Sequence, residues 1–251
     1  MQPYRMPGHL LFAIGMIGLG ILGLIFGDFA LVWQAVPEWV PGRRILAYAC
    51  GVLMLASGIG LPWPRFSLPA SRVLLVYLLL WLLLLRVPQL AIAPLTVVSW
   101  SGCGENLVLL AGGFALFTSG RRIAQIFFGL ALIPCGLAHF AYAKATAELV
   151  PVWLPWHFGW AYFTGAAYIA AGMGVLVGIY ARLAATMAAV MMSAFTLLVW
   201  IPGVAAEPKS RLQWTALFVS WAIAAAGWVV ADSYADTPRL EAGNRGRKTR
   251  L

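Results

Sequence analysis

The sequence predicts an all-α integral membrane protein of about eight transmembrane helices, built as two tandem four-helix bundles. Three observations carry that expectation. The chain is 62% hydrophobic and only 10% charged, whereas soluble domains run near 45–50% apolar and about 25% charged. Its apolar residues fall into runs close to the roughly 20 residues that a helix needs to cross a bilayer. The two halves also repeat one another in register. A mean hydropathy of +0.87 agrees with the first two.

The runs lie near 9–27, 45–62, 71–92, 105–119, 123–141, 158–180, 183–201 and 213–231, the fourth being the shortest. The first is longer than the apolar core of a signal peptide, about 7–15 residues, and no small-residue cleavage site follows it. It reads as a retained membrane helix. The polar stretch 232–251 holds Arg239, Arg245, Arg247, Lys248 and Arg250 and reads as a basic tail, too poor in apolar residues to bury anything. With eight crossings both termini share one side, and that side collects eleven of the seventeen Lys and Arg residues. The positive-inside rule then places both termini in the cytoplasm, and the short loops suit a bacterial plasma membrane. A net charge of +9 is explained by topology and anionic lipid rather than by nucleic acid.

The repeat has an offset of 114. Val36-Pro37-Glu38-Trp39-Val40-Pro41 returns as Val150-Pro151-Val152-Trp153-Leu154-Pro155, and ten of the twenty-five positions from 36 to 60 are identical in the second copy. The same offset pairs Gly15 with Gly129, Pro88 with Pro202, Trp100 with Trp214 and Gly113 with Gly227. Apolar composition alone does not align Pro, Trp, Tyr and Gly in one register. The expected units are 1–120 and 121–231, each with four crossings, hence a parallel repeat rather than an inverted one. Gly23-xxx-Gly27, Ala56-xxx-Gly60 and Ala170-xxx-Gly174 are the expected helix contacts, because small residues let backbones approach in lipid. Pro37, Trp39 and Pro41, with Pro151, Trp153 and Pro155, read as interfacial segments that cap the outer mouth of each bundle as a structural lid.

The run Gly136-Leu137-Ala138-His139-Phe140, the segment Val150–Pro155 and the helix from Tyr162 through Gly165 to Gly172 and Gly174 together resemble the DoxX family of four-helix membrane proteins. The first unit is similar but has Ile25 in place of His139. The resemblance implies a place in quinone-linked sulfur oxidation or in a membrane antioxidant complex, and a redox partner protein. It transfers no catalytic residue, and a fused pair departs from the single unit usual in the family.

Polar residues inside membrane spans are functional candidates. Arg86 stands near Pro88 in the third span. It is open to three readings: snorkelling to the outer headgroups, a bridge to Glu105, or a site for an anionic or quinone headgroup. His139 and His157 gather with Lys144 and Glu148 on the outer side of the second unit, and Cys135 lies one helical turn before His139. Three cysteines with no CxxC argue against a disulfide framework, and no metal-ligand spacing, P-loop, dinucleotide fingerprint or nucleophile elbow occurs. No cofactor is evident in the sequence, a quinone being the one to consider, and the lipid bilayer is the expected partner. The expected function is a non-catalytic, accessory component of a quinone-linked redox assembly. The alternatives are a small-solute transporter and a membrane assembly factor.

Overall fold

The computed structural model describes residues 7–116, 120–235 and 238. Arg5 and the five basic residues of the expected tail lie outside the described residues. Nine helices are described, and no strand. They are α1 (Pro7–Phe26), α2 (Arg43–Gly60), α3 (Pro64–Ile92), α4 (Val97–Ala115), α5 (Arg121–Ala141), the short α6 (Ala143–Glu148), α7 (His157–Val177), α8 (Ala181–Ala206) and α9 (Arg211–Asp232). Seven of these, all but α4 and α6, are long and apolar enough to cross a membrane. The fold is that of a helical integral membrane protein.

The fourth helix differs from its expected limits. It starts at Val97 rather than near 105, because Ser99, Ser101, Gly102 and Gly104 form its first turns. In sequence those residues look like a loop. Here they face protein, so their low hydropathy carries no penalty. Thr96 opens the helix, its hydroxyl bonded to Ala93 O (2.9 Å) and to Ser99 Oγ (2.7 Å).

Helices α3 and α8 share an irregularity. Each widens into one π-helical turn, at Leu82–Arg86 and Thr196–Trp200, just before Pro88 and Pro202. A proline inside an α-helix loses one hydrogen bond and its ring strikes the carbonyl four residues back. The widened turn moves that carbonyl aside, so the helix passes the proline without ending. Both helices stop at residues of nearly the same conformation, Ala93 (φ −131, ψ 64) and Glu207 (φ −129, ψ 70). Beyond them Trp100 Nε1 donates to Pro94 O (2.8 Å) and Trp214 Nε1 to Pro208 O (2.9 Å).

The long helices pack in chain order from α1 to α5, on through α7 and α8 to α9, and α9 returns to α1. The result is a ring of eight with α4 and α9 also meeting across it. One hydrophobic core runs through both halves of the chain. Close backbone approach sets this packing. A Cβ on Gly104 would lie 2.9 Å from Ala131 O on α5, one on Gly112 2.7 Å from Ala226 Cβ on α9, and one on Gly172 2.8 Å from Gly129 O. Of the expected small-residue stripes, Ala56 and Ala170 are exposed. The contacts are made by Gly51 and Gly58, and by Gly165 and Gly172, each pair seven residues apart and so two turns along one face.

One ionic hub ties the end of α1 to the starts of α2 and α9. Asp28, just after α1, bridges Arg43 (2.5 Å) at the start of α2 and Arg211 (3.1 Å) at the start of α9. Arg211 also donates to Phe29 O (2.7 Å) and stands over the Phe26 ring. Burial pushes the Asp28 carboxyl up, but the Phe29 N–H and the two guanidiniums outweigh it and hold the group below its usual value. A carboxyl depressed in the folded state stabilises fully above its unfolded pKa, about 3.9, and that contribution disappears as pH falls through the folded value. Asp28→Asn is therefore expected to cost about 1–3 kcal/mol at pH 7. Thermal unfolding in detergent should show a lower Tm at pH 7, with the difference from wild type shrinking as the medium is acidified through the carboxylate range.

Candidate functional site

The polar centre of the fold lies where α3, α4, α5 and α7 come together. Arg86, the last residue of the π-helical turn in α3, is 5% exposed and so does not snorkel. Nor does it bridge to Glu105: among the described residues no ion pair joins the two. Its Nη1 donates to Gln89 Oε1 (3.0 Å), and its Nη2 to Val32 O (3.2 Å) and Trp33 O (2.6 Å). Those carbonyls converge because Val32 adopts a left-handed conformation, φ 62, that a β-branched residue rarely takes. The chain turns there and presents two successive carbonyls to one guanidinium. The guanidinium in turn lies flat against α4, where a Cβ on Gly102 would sit 2.7 Å from Arg86 Nη1.

Glu105, on the next face of α4, is half-buried. Arg86, Cys135 and Tyr168 all lie within its electrostatic reach. Cys103 and Cys135 flank it from α4 and α5, both as free thiols. His139, a turn beyond Cys135, bonds through Nδ1 to Cys135 O (2.8 Å) rather than to the thiol. The imidazole packs on Tyr168 (5.3 Å between ring centroids) and Phe195 (6.0 Å). The structure thus gathers Arg86, Glu105 and His139 around a common region together with three residues that sequence reasoning left out of the site: Cys103, Tyr168 and Gln89. Their only signal in sequence was polarity inside an apolar run.

His157 stands apart, half-buried at the first position of α7. The V-P-x-W-[VL]-P segments do not act as lids. Trp39 and Trp153 are 80% and 72% exposed, and Pro37, Pro41 and Pro155 are exposed beside them, with Pro151 half-buried. Two closely spaced prolines turn each loop outwards and leave its tryptophan free for the membrane interface. The cover over the polar centre is instead the turn Phe29–Gln34, where Phe29, Trp33 and Gln34 are buried.

Beneath that cover runs a second polar chain. Gln34 Nε2 donates to Tyr77 OH (2.6 Å), Ala30 N–H to Gln34 Oε1 (2.9 Å), and Tyr77 stacks on Trp81 (5.3 Å). Three deeply buried polar atoms here have no hydrogen-bond partner among the described residues: Trp33 Nε1, Trp81 Nε1 and Asn106 Oδ1. Buried polar atoms are nearly always satisfied, so these unpartnered donors and acceptor suit a small polar group from outside the chain. No cluster of three or more His, Cys, Asp or Glu residues able to hold a metal ion occurs among the described residues.

The centre is one-sided. At the offset of 114, Arg86, Glu105, Cys135, His139 and Tyr168 correspond to Trp200, Val219, Ile21, Ile25 and Met54. One of two corresponding places is polar and the other is apolar.

Gly102→Ala should test how tightly the guanidinium is held. The added methyl meets Arg86 Nη1 and the α4 backbone cannot retreat, so a loss of about 1–3 kcal/mol is expected, read as a lower Tm in detergent. Gly178→Ala, where the Cβ meets open space but φ is 78, gives the cost of backbone strain alone for comparison.

A family model described as a domain of unknown function (DUF8561) matches residues 128–230. This stretch holds Cys135, His139 and Tyr168 but neither Arg86 nor Glu105. No curated protein matches the chain, and no solved structure does.

Proposed function

We propose that this protein is an eight-crossing, DoxX-like membrane protein formed by two parallel four-helix repeats, in which the polar centre around Arg86 and Glu105 receives the headgroup of a quinone. On this reading it is a non-catalytic component of a quinone-linked redox assembly in a bacterial plasma membrane, with both termini in the cytoplasm. The observation that carries the reading is the buried, one-sided polar centre with its unpartnered Trp33, Trp81 and Asn106 atoms. A quinone offers carbonyl oxygens to indole N–H and guanidinium donors and an apolar tail to the lipid. A polar group within a membrane bundle is costly and is retained for function.

Two further facts support the repeat. In α1 and α5, α2 and α7, and α4 and α9 the first residues are 114 apart, as are the π-helical turns of α3 and α8. The eighth crossing would be α4, which at 19 residues is close in length to the 21-residue α5 and lies between α3 and α5.

The test is organic extraction and mass spectrometry of protein purified in mild detergent. About one quinone per chain is expected in the wild type. In Glu105→Gln and Trp81→Phe the content should fall on the order of tenfold, as losing one buried polar contact implies. A wild-type preparation that is folded and carries no quinone, even after incubation with a short-chain analogue, removes this reading.

A further inference from the structure

The turn that covers the polar centre has a counterpart of different shape in the second half. At the offset of 114, Phe29–Gln34 corresponds to Ala143–Glu148, and that counterpart is the short helix α6. In α6 the Thr146 N–H donates to Tyr142 O (2.9 Å), as in any helix. The matching residue of the turn is Val32, at φ 62, and its successor Trp33 donates to Leu31 O (2.6 Å) instead. Nothing in the residues of the turn forbids a helix. Phe29-Ala30-Leu31-Val32-Trp33-Gln34 contains no glycine or proline. Phe29 and Trp33 are spaced to share one helix face. The Gln34 N–H already donates to Ala30 O, four residues back (2.8 Å).

What the first half has here and the second lacks is a guanidinium. Arg86 draws the Val32 and Trp33 carbonyls to itself (3.2 and 2.6 Å), and its counterpart is Trp200. The left-handed Val32 aims both carbonyls at one guanidinium, and a right-handed conformation there would swing them off it. A β-branched residue keeps such a conformation only where its surroundings enforce it. Arg86 supplies that hold.

We propose that Phe29–Gln34 is a turn-to-helix switch set by the occupancy of Arg86. In the observed state the two carbonyls occupy the guanidinium as a ligand's oxygens would. A ligand that brings its own acceptor oxygen to Arg86 releases them. Val32 then relaxes to a right-handed conformation, and the segment winds into the helix that Ala143–Glu148 already forms. The counterpart gives the outcome at each residue. Ala143 and Ala147 are buried, as Phe29 and Trp33 are, but Glu148 is exposed where Gln34 is buried on the Tyr77 hydroxyl. Winding the helix therefore carries Gln34 off Tyr77 and into the open while the apolar cover stays in place. That the ligand is a quinone rests on the quinone reading of the polar centre, whereas the two conformations of the segment do not.

The experiment places the readout at residue 34. Gln34→Cys is made in the full chain, in mild detergent, and alkylated with N-ethylmaleimide. Peptide mass spectrometry separates the new thiol from Cys50, Cys103 and Cys135. In this background Val32→Ala and Val32→Gly are compared. Val32 is exposed, so neither change removes packing. Alanine favours the helix and glycine the left-handed turn, so residue 34 should be alkylated on the order of tenfold faster in the alanine variant. Arg86→Gln should speed alkylation by a similar factor, on the order of tenfold, because bonds from a charged donor are lost. Saturating decylubiquinone should act in the same direction. Equal rates in the alanine and glycine variants, or a faster glycine variant, overturn the switch. Unchanged alkylation in a folded Arg86→Gln chain overturns Arg86 as its hold. Decylubiquinone that is bound, by extraction and mass spectrometry, yet leaves the rate unchanged overturns the coupling to ligand. Decylubiquinone that does not bind removes the quinone reading alone, and the switch is then decided by the three variants.

Discussion

Four glycines of one helix make the rest of the architecture possible. In lipid there is little hydrophobic force to press helices together, and association depends on close contact and on polar groups hidden from the acyl chains. Helix α4 is the most polar of the long helices, with Ser99, Cys103, Glu105 and Asn106 in its first half. It is tolerated because each side without a bulky residue admits a different neighbour. Gly102 admits the Arg86 guanidinium, Gly104 the α5 backbone, Gly112 the α9 backbone at Ala226, and Gly113 the Leu75 side chain of α3. The same substitutions that lower its hydropathy let protein rather than lipid surround it.

Enclosing α4 concentrates the chemistry. Asn106 bonds back to Gly102 O of its own helix and Ser99 to Thr96 at its start, while Gly102 meets the Arg86 guanidinium of α3 and the Phe29–Gln34 turn covers that end of the centre. At the positions 114 residues away stand Trp200, Val219, Ile21, Ile25 and Met54, all apolar, of which only Met54 is buried and Ile21 and Ile25 are exposed. An apolar groove, about 180 Å³ between Leu11, Thr196, Trp221 and Trp228, has walls almost free of polar surface. The indoles that border it are satisfied internally, Trp221 by Leu11 O and Trp228 by Ser193 Oγ.

Most helices were legible in the sequence because a bilayer sets their length and leaves few other arrangements for the backbone. The proline after Arg86 was legible too, although not the widened turn by which the helix survives it. The centre itself was harder to read. Arg86 is held largely by backbone carbonyls, which leave no trace in side-chain identity, and their aim depends on a left-handed Val32 that nothing in its type suggests. A bridge from Arg86 to Glu105 is one of the readings that charge suggests, yet the guanidinium has nearer acceptors. The exposed Trp39 and Trp153 drew attention as lids because their motif repeats, whereas Trp33, outside the motif, does the covering. Asp28 gave no sign of joining two helix starts that are 168 residues apart, since its partner Arg211 is remote in the chain.

The return of α9 to α1 has a consequence for how the chain could be cut and rejoined. Gly8 near the start of α1 faces Val229 near the end of α9, so the first and last described helices finish beside one another on the same end of the molecule. In a closed circuit of helices the order of synthesis is a matter of where the circuit was opened. A circular permutant, with the start of α1 linked to the end of α9 and new ends placed between α4 and α5, would keep every described helix beside its present neighbours. The circuit, rather than either half of the sequence, is then the unit that folds.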